Sequence, residues 1–267
     1  GCSHGCIYCD SRSKCYNFTH AFEDIEVKEN APELLEWALR SKRQKCMIGT
    51  GAMCDPYLPA EEQLGLTRKC LELIDRYEYG VTILTKSARI LRDLDLLQSI
   101  NHKTKAVVQM TLTTYDETLC RKIEPNVSTT KERFEVLLRC KELGIPTLVW
   151  MTPILPFIND TRENIEGLLD YCLRAETRGI LLFDIGVTLR EGDREYFYQA
   201  LDRNFPGIRQ KYIRTYGNAY DIPSPHAKEL MSLVQGTCTA NNMLCSPKEC
   251  FAYLNKFPER YVQESLF

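Results

Sequence analysis

The sequence predicts an α/β fold: a parallel sheet covered by helices and curled into an open, partial barrel, with a short helical extension at its C-terminal end. Three observations predict it. Strand-like apolar runs alternate with amphipathic helical stretches of crossover length, the pattern of parallel strands joined by helices. Five such strands can be read, and a sixth is expected before Cys2, a count that suits a partial barrel better than a closed eight-stranded one. After Asn204 the alternation gives way to short helices. The expected division is a core over 1–204, its first strand truncated, and a helical extension over 205–267 packed on it.

The elements follow in order. Ala31–Lys42 reads as a helix with Leu34, Leu35, Ala38 and Leu39 on one face. Cys46–Thr50 is a short buried strand ending at Gly51. Ala60–Tyr77 is one helix, with Leu66, Cys70, Leu73 and Tyr77 in register. Gly80–Thr85 is a strand, Ala88–Ile100 a helix and Lys105–Thr113 a strand. Lys131–Leu143 is a helix stopped by Gly144 and Pro146, and Ile145–Thr152 the next strand. Asp160 is expected to cap a helix whose stripe is Ile165, Leu168, Leu169, Cys172 and Leu173; Gly179–Gly186 is the last strand. Ser224-Pro225 and Ser246-Pro247 read as helix starts, and Glu249 completes a capping box with Ser246.

A chain of 267 residues can bury a large core without disulfides or structural metals. With 34 Lys and Arg against 36 Asp and Glu, the net charge of −2 provides no global field for nucleic acid or an acidic membrane surface. No apolar run is long enough to span a bilayer, and no secretory signal is read, which points to the cytoplasm. The thirteen cysteines therefore mean metal or core filling before disulfides.

Four of them crowd the start: Cys2, Cys6, Cys9 and Cys15. Cys2, Cys6 and Cys9 form C-x3-C-x2-C, and they can converge on one centre only if the chain loops around it, a freedom Gly1 and Gly5 provide. Soft thiolates select zinc, copper(I) or iron–sulfur clusters. Three readings compete: a 4Fe–4S cluster on three cysteines with one iron open, a closed four-thiolate zinc or ferredoxin-like site that adds Cys15, and ordinary loop thiols.

The spacing, with aromatic Tyr8 before the third cysteine, resembles the radical SAM superfamily. Further segments carry the resemblance in order: Ile48-Gly49-Thr50-Gly51-Ala52-Met53-Cys54-Asp55-Pro56-Tyr57, Ile83-Leu84-Thr85-Lys86-Ser87, Arg92-Asp93, Glu124-Pro125 and Pro153-Ile154-Leu155-Pro156. They look like the spore photoproduct lyase-like branch, often labelled DNA repair photolyase, over roughly residues 1–190. The resemblance implies a partial (β/α)6 barrel of the radical SAM type. It also implies a 4Fe–4S cluster on Cys2, Cys6 and Cys9, and S-adenosylmethionine lying across the strand ends and cleaved to a 5′-deoxyadenosyl radical. A reductant such as flavodoxin or ferredoxin is implied too. Tyr8 matches the aromatic near the adenine. Thr50, Gly51, Ala52 and Met53 match the loop that meets the methionine amino group, although the acidic residue common there is absent. Cys54 falls at a cofactor-binding serine, Lys86 at a cofactor-contacting lysine and Thr111 at a serine on the next strand. The lyases' hydrogen-donor cysteine corresponds to Ala52, which counts against photoproduct lyase activity and leaves Cys54 as the candidate donor.

Strand parity supports a polar lumen independently, because Gln109, Thr111 and Thr113 share one face of a strand and Asp184 lies near the end of another. Thr111 and Thr113 are thus read as cofactor contacts. Outside these, Tyr115 is a candidate radical relay, and Arg121, Lys122, Arg133, Arg190 and Arg194 are candidates for meeting an anionic substrate. Cys238 and Cys250 read as small core residues. Three functions remain open: a nucleic-acid lesion lyase, a radical SAM enzyme on another substrate, and a non-catalytic metal protein.

Overall fold

A computed structural model describes residues 1–258. Five strands form one parallel sheet in sequence order: β1 (Met47–Thr50), β2 (Gly80–Thr85), β3 (Ala106–Thr111), β4 (Thr147–Trp150) and β5 (Gly179–Leu181). The crossovers carry α1 (Ala31–Ser41) ahead of β1, α2 (Glu61–Leu64) and α3 (Leu66–Arg76), α4 (Leu94–Lys103), α5 (Glu117–Ile123) and α6 (Thr130–Glu142), and α7 (Arg162–Arg174). A small antiparallel sheet follows, β6 (Gly186–Thr188) with β7 (Asp221–Pro223), enclosing α8 (Asp193–Asn204) and α9 (Ile208–Tyr216) between them in sequence. The chain continues through α10 (Ala227–Ala240) and α11 (Pro247–Asn255). The expected extension over 205–267 is described as far as residue 258; its residues 259–267 lie outside the described residues.

The period of two along each strand sorts the two faces of the sheet. Val81, Ile83, Ala106, Val108, Met110, Val149 and Ile180 face the helices and join the main core with Leu71, Leu97, Leu137 and Leu168. The opposite parity carries the polar Thr82, Gln109 and Thr111 with Trp150, and the apolar Val107, Leu148 and Leu181, which lie level with Thr82, Gln109 and Trp150 on the neighbouring strands. Cys250 and Leu254 of α11 pack against those apolar residues. The polar residues are linked to one another: Gln109 Nε2 donates to Thr82 Oγ1 at 2.5 Å and Trp150 Nε1 donates to Gln109 Oε1 at 2.7 Å. In parallel α/β sheets a ligand binds at the C-terminal ends of the strands.

Local chemistry moves several expected boundaries. The single helix over 60–77 is two, because Gly65 takes φ +59° and Glu61 turns back to accept from Leu66 N and Thr67 N at 3.0 Å each. The stretch after Thr85 opens as a 3-10 turn, Ala88–Asp93, before α4 begins. Thr161, not Asp160, caps α7, its hydroxyl accepting from Asn164 N; Asp160 instead accepts from Ser224 Oγ at 2.5 Å. Ser224 likewise does not start a helix, which begins at Ala227. The strand expected over 179–186 stops at Leu181, and Gly186 opens a different sheet. Helices α5 and α8 were not read from the sequence at all.

Candidate functional site

The cysteine loop holds its shape through a segment far away in sequence. Ile7 N donates to Ile123 O at 3.0 Å, Asn126 N to His4 O at 3.1 Å and Asn126 Nδ2 to Ser3 O at 3.0 Å. Gly5, at φ +69°, sits against Pro125 and Asn126, where a β-carbon would come within 3.3 Å of both side chains. Beneath the loop Tyr8 OH donates to Glu124 Oε1. Glu124 Oε2 pairs with Arg133 Nη2 at 2.5 Å, and both side chains are sealed from solvent. Arg133 also donates to Thr111 O at 2.7 Å, tying the loop to the end of β3. Arg133 therefore meets no substrate: its guanidinium is consumed by the fold, against the expectation above.

Cys2, Cys6 and Cys9 line one cavity of about 90 Å³ with His4, Cys54, Asp55 and Lys86. A second cavity of about 480 Å³ adjoins it, sharing Tyr8, Cys9, Gly51, Ala52, Met53 and Lys86 and reaching Thr111, Trp150, Phe183 and Asp184. The strand ends explain this gathering: β1 to β5 all release their chains on the same side of the sheet. A groove of about 490 Å³ along α1, between Glu33 and Ser41, lies on the helical surface and holds no thiol. Among the described residues, no three His, Cys, Asp or Glu side chains converge on a point that would hold a single metal ion.

Charge is organised around the thiols. Burial pushes the Cys6 and Cys9 thiols up, while a hydrogen bond from Cys54 pulls Cys2 down and holds the proton on Cys54. Burial opposes the charge on Lys86, but Cys6, Glu124 and Asp55 outweigh it and keep the ammonium above its ordinary range. Burial likewise opposes ionisation of Glu124, and Arg133 and Lys86 overcome it and hold the carboxyl below its ordinary range. Asp55 is fixed from three sides, by Thr85 Oγ1 at 2.7 Å, Lys86 N at 2.7 Å and Tyr57 N at 2.9 Å.

The structure thus brings together Cys2, Cys6, Cys9, Tyr8, Gly51, Ala52, Met53, Cys54, Lys86 and Thr111. It does not bring Thr50 or Thr113 to either cavity. Thr50 is exposed on the edge strand β1. Thr113 is buried beyond the end of β3, where the chain has left the strand and parity no longer applies; its carbonyl accepts from Asn159 and Asn164. Cys15 is exposed, takes a contact from Arg190 and lines neither cavity. Tyr115 packs on Tyr171, away from both. Cys238 and Cys250 sit in two different apolar clusters. His4, Asp55, Glu124 and Trp150 were not read as site residues. His4, Asp55 and Glu124 lay inside the segments that carry the resemblance, but only the fold shows what each of them touches, and Trp150 lacks any local pattern that would mark it.

The fold and this arrangement coincide with one class. The chain belongs to the radical SAM superfamily, a superfamily of enzymes, whose family model matches residues 1–172. It is similar to an uncharacterised protein of Methanocaldococcus jannaschii, 33% identical over 208 residues, covering 77% of this chain and 74% of that protein. An uncharacterised protein of Mycobacterium tuberculosis is 28% identical over 244 residues, covering 86% of this chain and 69% of that one. Among solved structures, spore photoproduct lyase with bound AdoMet and dinucleoside spore photoproduct superposes with a TM-score of 0.63, covering 92% of this chain and 73% of the lyase. At 14% identity that likeness is one of fold. The five-stranded parallel sheet is accordingly the partial barrel expected of the family. No helix among the described residues is long and apolar enough to cross a membrane.

Proposed function

We propose that this protein is a radical SAM enzyme in which Cys2, Cys6 and Cys9 hold a 4Fe–4S cluster and the adjoining cavity takes S-adenosylmethionine. The observation that carries the reading is the shared wall. Three thiols line a small cavity that opens, through Tyr8, Gly51–Met53 and Lys86, onto one of about 480 Å³. The residues fit the group: three soft thiol donors line one cavity, and a buried cation stands beside them. When bound, the cluster would supply one electron to S-adenosylmethionine, breaking its C–S bond to give a 5′-deoxyadenosyl radical.

The chain's own residues do the rest. Lys86 offsets the negative charge of the thiolates. Gly51, at φ +96°, lets the backbone follow the cavity wall where a side chain would strike Leu84 O. Tyr8 is held by Glu124 as a fixed wall, and Thr111 offers a hydroxyl. Trp150 and Phe183, ring centroids 6.1 Å apart, provide apolar surface that excludes water. Cys54, beside Cys2, is the candidate hydrogen donor. An acidic flavodoxin or ferredoxin is the reductant class we expect, and the thirteen thiols suit the reducing cytoplasm. Charge argues against a polyanionic substrate: the larger cavity presents Asp10, Asp184 and Asp221 against Lys86 alone.

The test is anaerobic reconstitution with dithionite and S-adenosylmethionine, reading 5′-deoxyadenosine. Product that vanishes in Cys6→Ala, with iron content unchanged in Cys15→Ala, supports the reading. Iron lost in Cys15→Ala, with no product from the wild type, would establish the closed four-cysteine site instead.

A further inference from the structure

We infer that His4 is a fourth, exchangeable ligand of the cluster: its imidazole takes the iron that the three cysteines leave open and yields it to S-adenosylmethionine. The inference rests on the function proposed above. His4 is 2% exposed and lines the same small cavity as Cys2, Cys6, Cys9 and Cys54. Its Nε2 is sealed from solvent and has no hydrogen-bond partner. A buried polar atom left unpaired costs about 1–3 kcal/mol, so a fold that keeps one in a ligand cavity calls for a group that satisfies it there.

The other face of the ring says what kind of group. Nδ1 lies 3.5 Å from Asp55 Oδ2. Asp55 cannot turn away, because Thr85, Lys86 and Tyr57 hold its carboxylate. A carboxylate on that side favours the tautomer with hydrogen on Nδ1 and leaves the Nε2 lone pair unpartnered on a residue that lines the cavity. A carboxylate on the outer nitrogen is what orients metal-binding histidines, and imidazole is a good ligand for iron. Displacement by S-adenosylmethionine exchanges one Fe–N bond for the bonds the cofactor makes, with no electron transferred. The device keeps the open iron covered until the cofactor arrives.

The experiment compares unlabelled full-length protein with protein labelled with 15N-histidine, both reconstituted anaerobically, reduced and examined by pulsed EPR. The expected result is a strong nitrogen coupling without S-adenosylmethionine. It changes with the label, disappears when the cofactor is added and is absent from His4→Gln. A cluster without label-sensitive coupling, or one whose coupling survives in His4→Gln, overturns the inference and leaves the proposed function standing. Because the labelled wild type decides the first point, failure of the variant to fold does not rescue the idea. If no cluster assembles on the wild type, or Cys6→Ala assembles it equally well, both readings fall together.

Discussion

Replacing Arg133 by leucine should destabilise the protein by about 3–5 kcal/mol, the cost of leaving one partner of a buried ion pair alone. The structure supports the upper part of that range. Both side chains of the Glu124–Arg133 pair are 0% exposed, so no water can replace the lost guanidinium. Arg133 also donates to Thr111 O at 2.7 Å and Cys120 Sγ at 3.1 Å, and these acceptors lose a donor as well. For a chain of this size about 2–4 °C of melting temperature accompanies each kcal/mol, so a fall of roughly 6–20 °C is expected. The assay is thermal melting of the cluster-free protein, with urea titration as a second measure. The double variant Glu124→Leu/Arg133→Leu should melt above the Arg133→Leu single variant, because it removes the stranded carboxylate. A single variant melting within a degree or two of the wild type would refute the reasoning, as would a double variant losing the sum of both singles.

Further outcomes follow from the same structure. Glu124 titrates below its ordinary value of 4.5, so the pair's contribution is present above that pH and is lost as pH falls through the lower folded value; melts across pH 3–6 should show an acid loss that is smaller in the double leucine variant. Asp193 behaves oppositely: burial raises its carboxyl to about 6 from 3.8, so its ionisation opposes folding increasingly as pH rises from 3.8 to 6. Asp193→Asn should therefore melt higher than the wild type at pH 7.5 and no higher at pH 3.5. Gly51→Ala must adopt a positive φ, which costs about 1–2 kcal/mol. Its β-carbon would also lie 2.0 Å from Leu84 O, so a fall in melting temperature beyond that cost is expected, and an unchanged melt would contradict the backbone described.

The strand–helix alternation, most helix faces and the C-x3-C-x2-C loop were legible in the residues, because periodicity and ligand spacing are local properties. So was the gathering of Gly51–Cys54, Lys86 and Thr111 at the strand ends, since parallel strands joined by crossovers release their chains on one side. Thr113 shows where that legibility ends: parity holds only while the chain remains a strand, and the strand's end at Thr111 is decided by neighbours. The split at Gly65 depends on Glu61 turning back on the next helix. Glu124 was one residue of a resemblance segment and Arg133 a candidate for meeting an anionic substrate until the fold buried them together beneath Tyr8. His4 was an unassigned histidine until the fold set Asp55, from another loop, 3.5 Å from its Nδ1 and buried its Nε2 without a partner. The sequence by itself determined the superfamily, because the motifs that carry it lie in short, local stretches of chain. The tertiary structure alone decided which charges stand around those thiols, because burial and long-range pairing set the energy of a charge, and neither is written in local sequence.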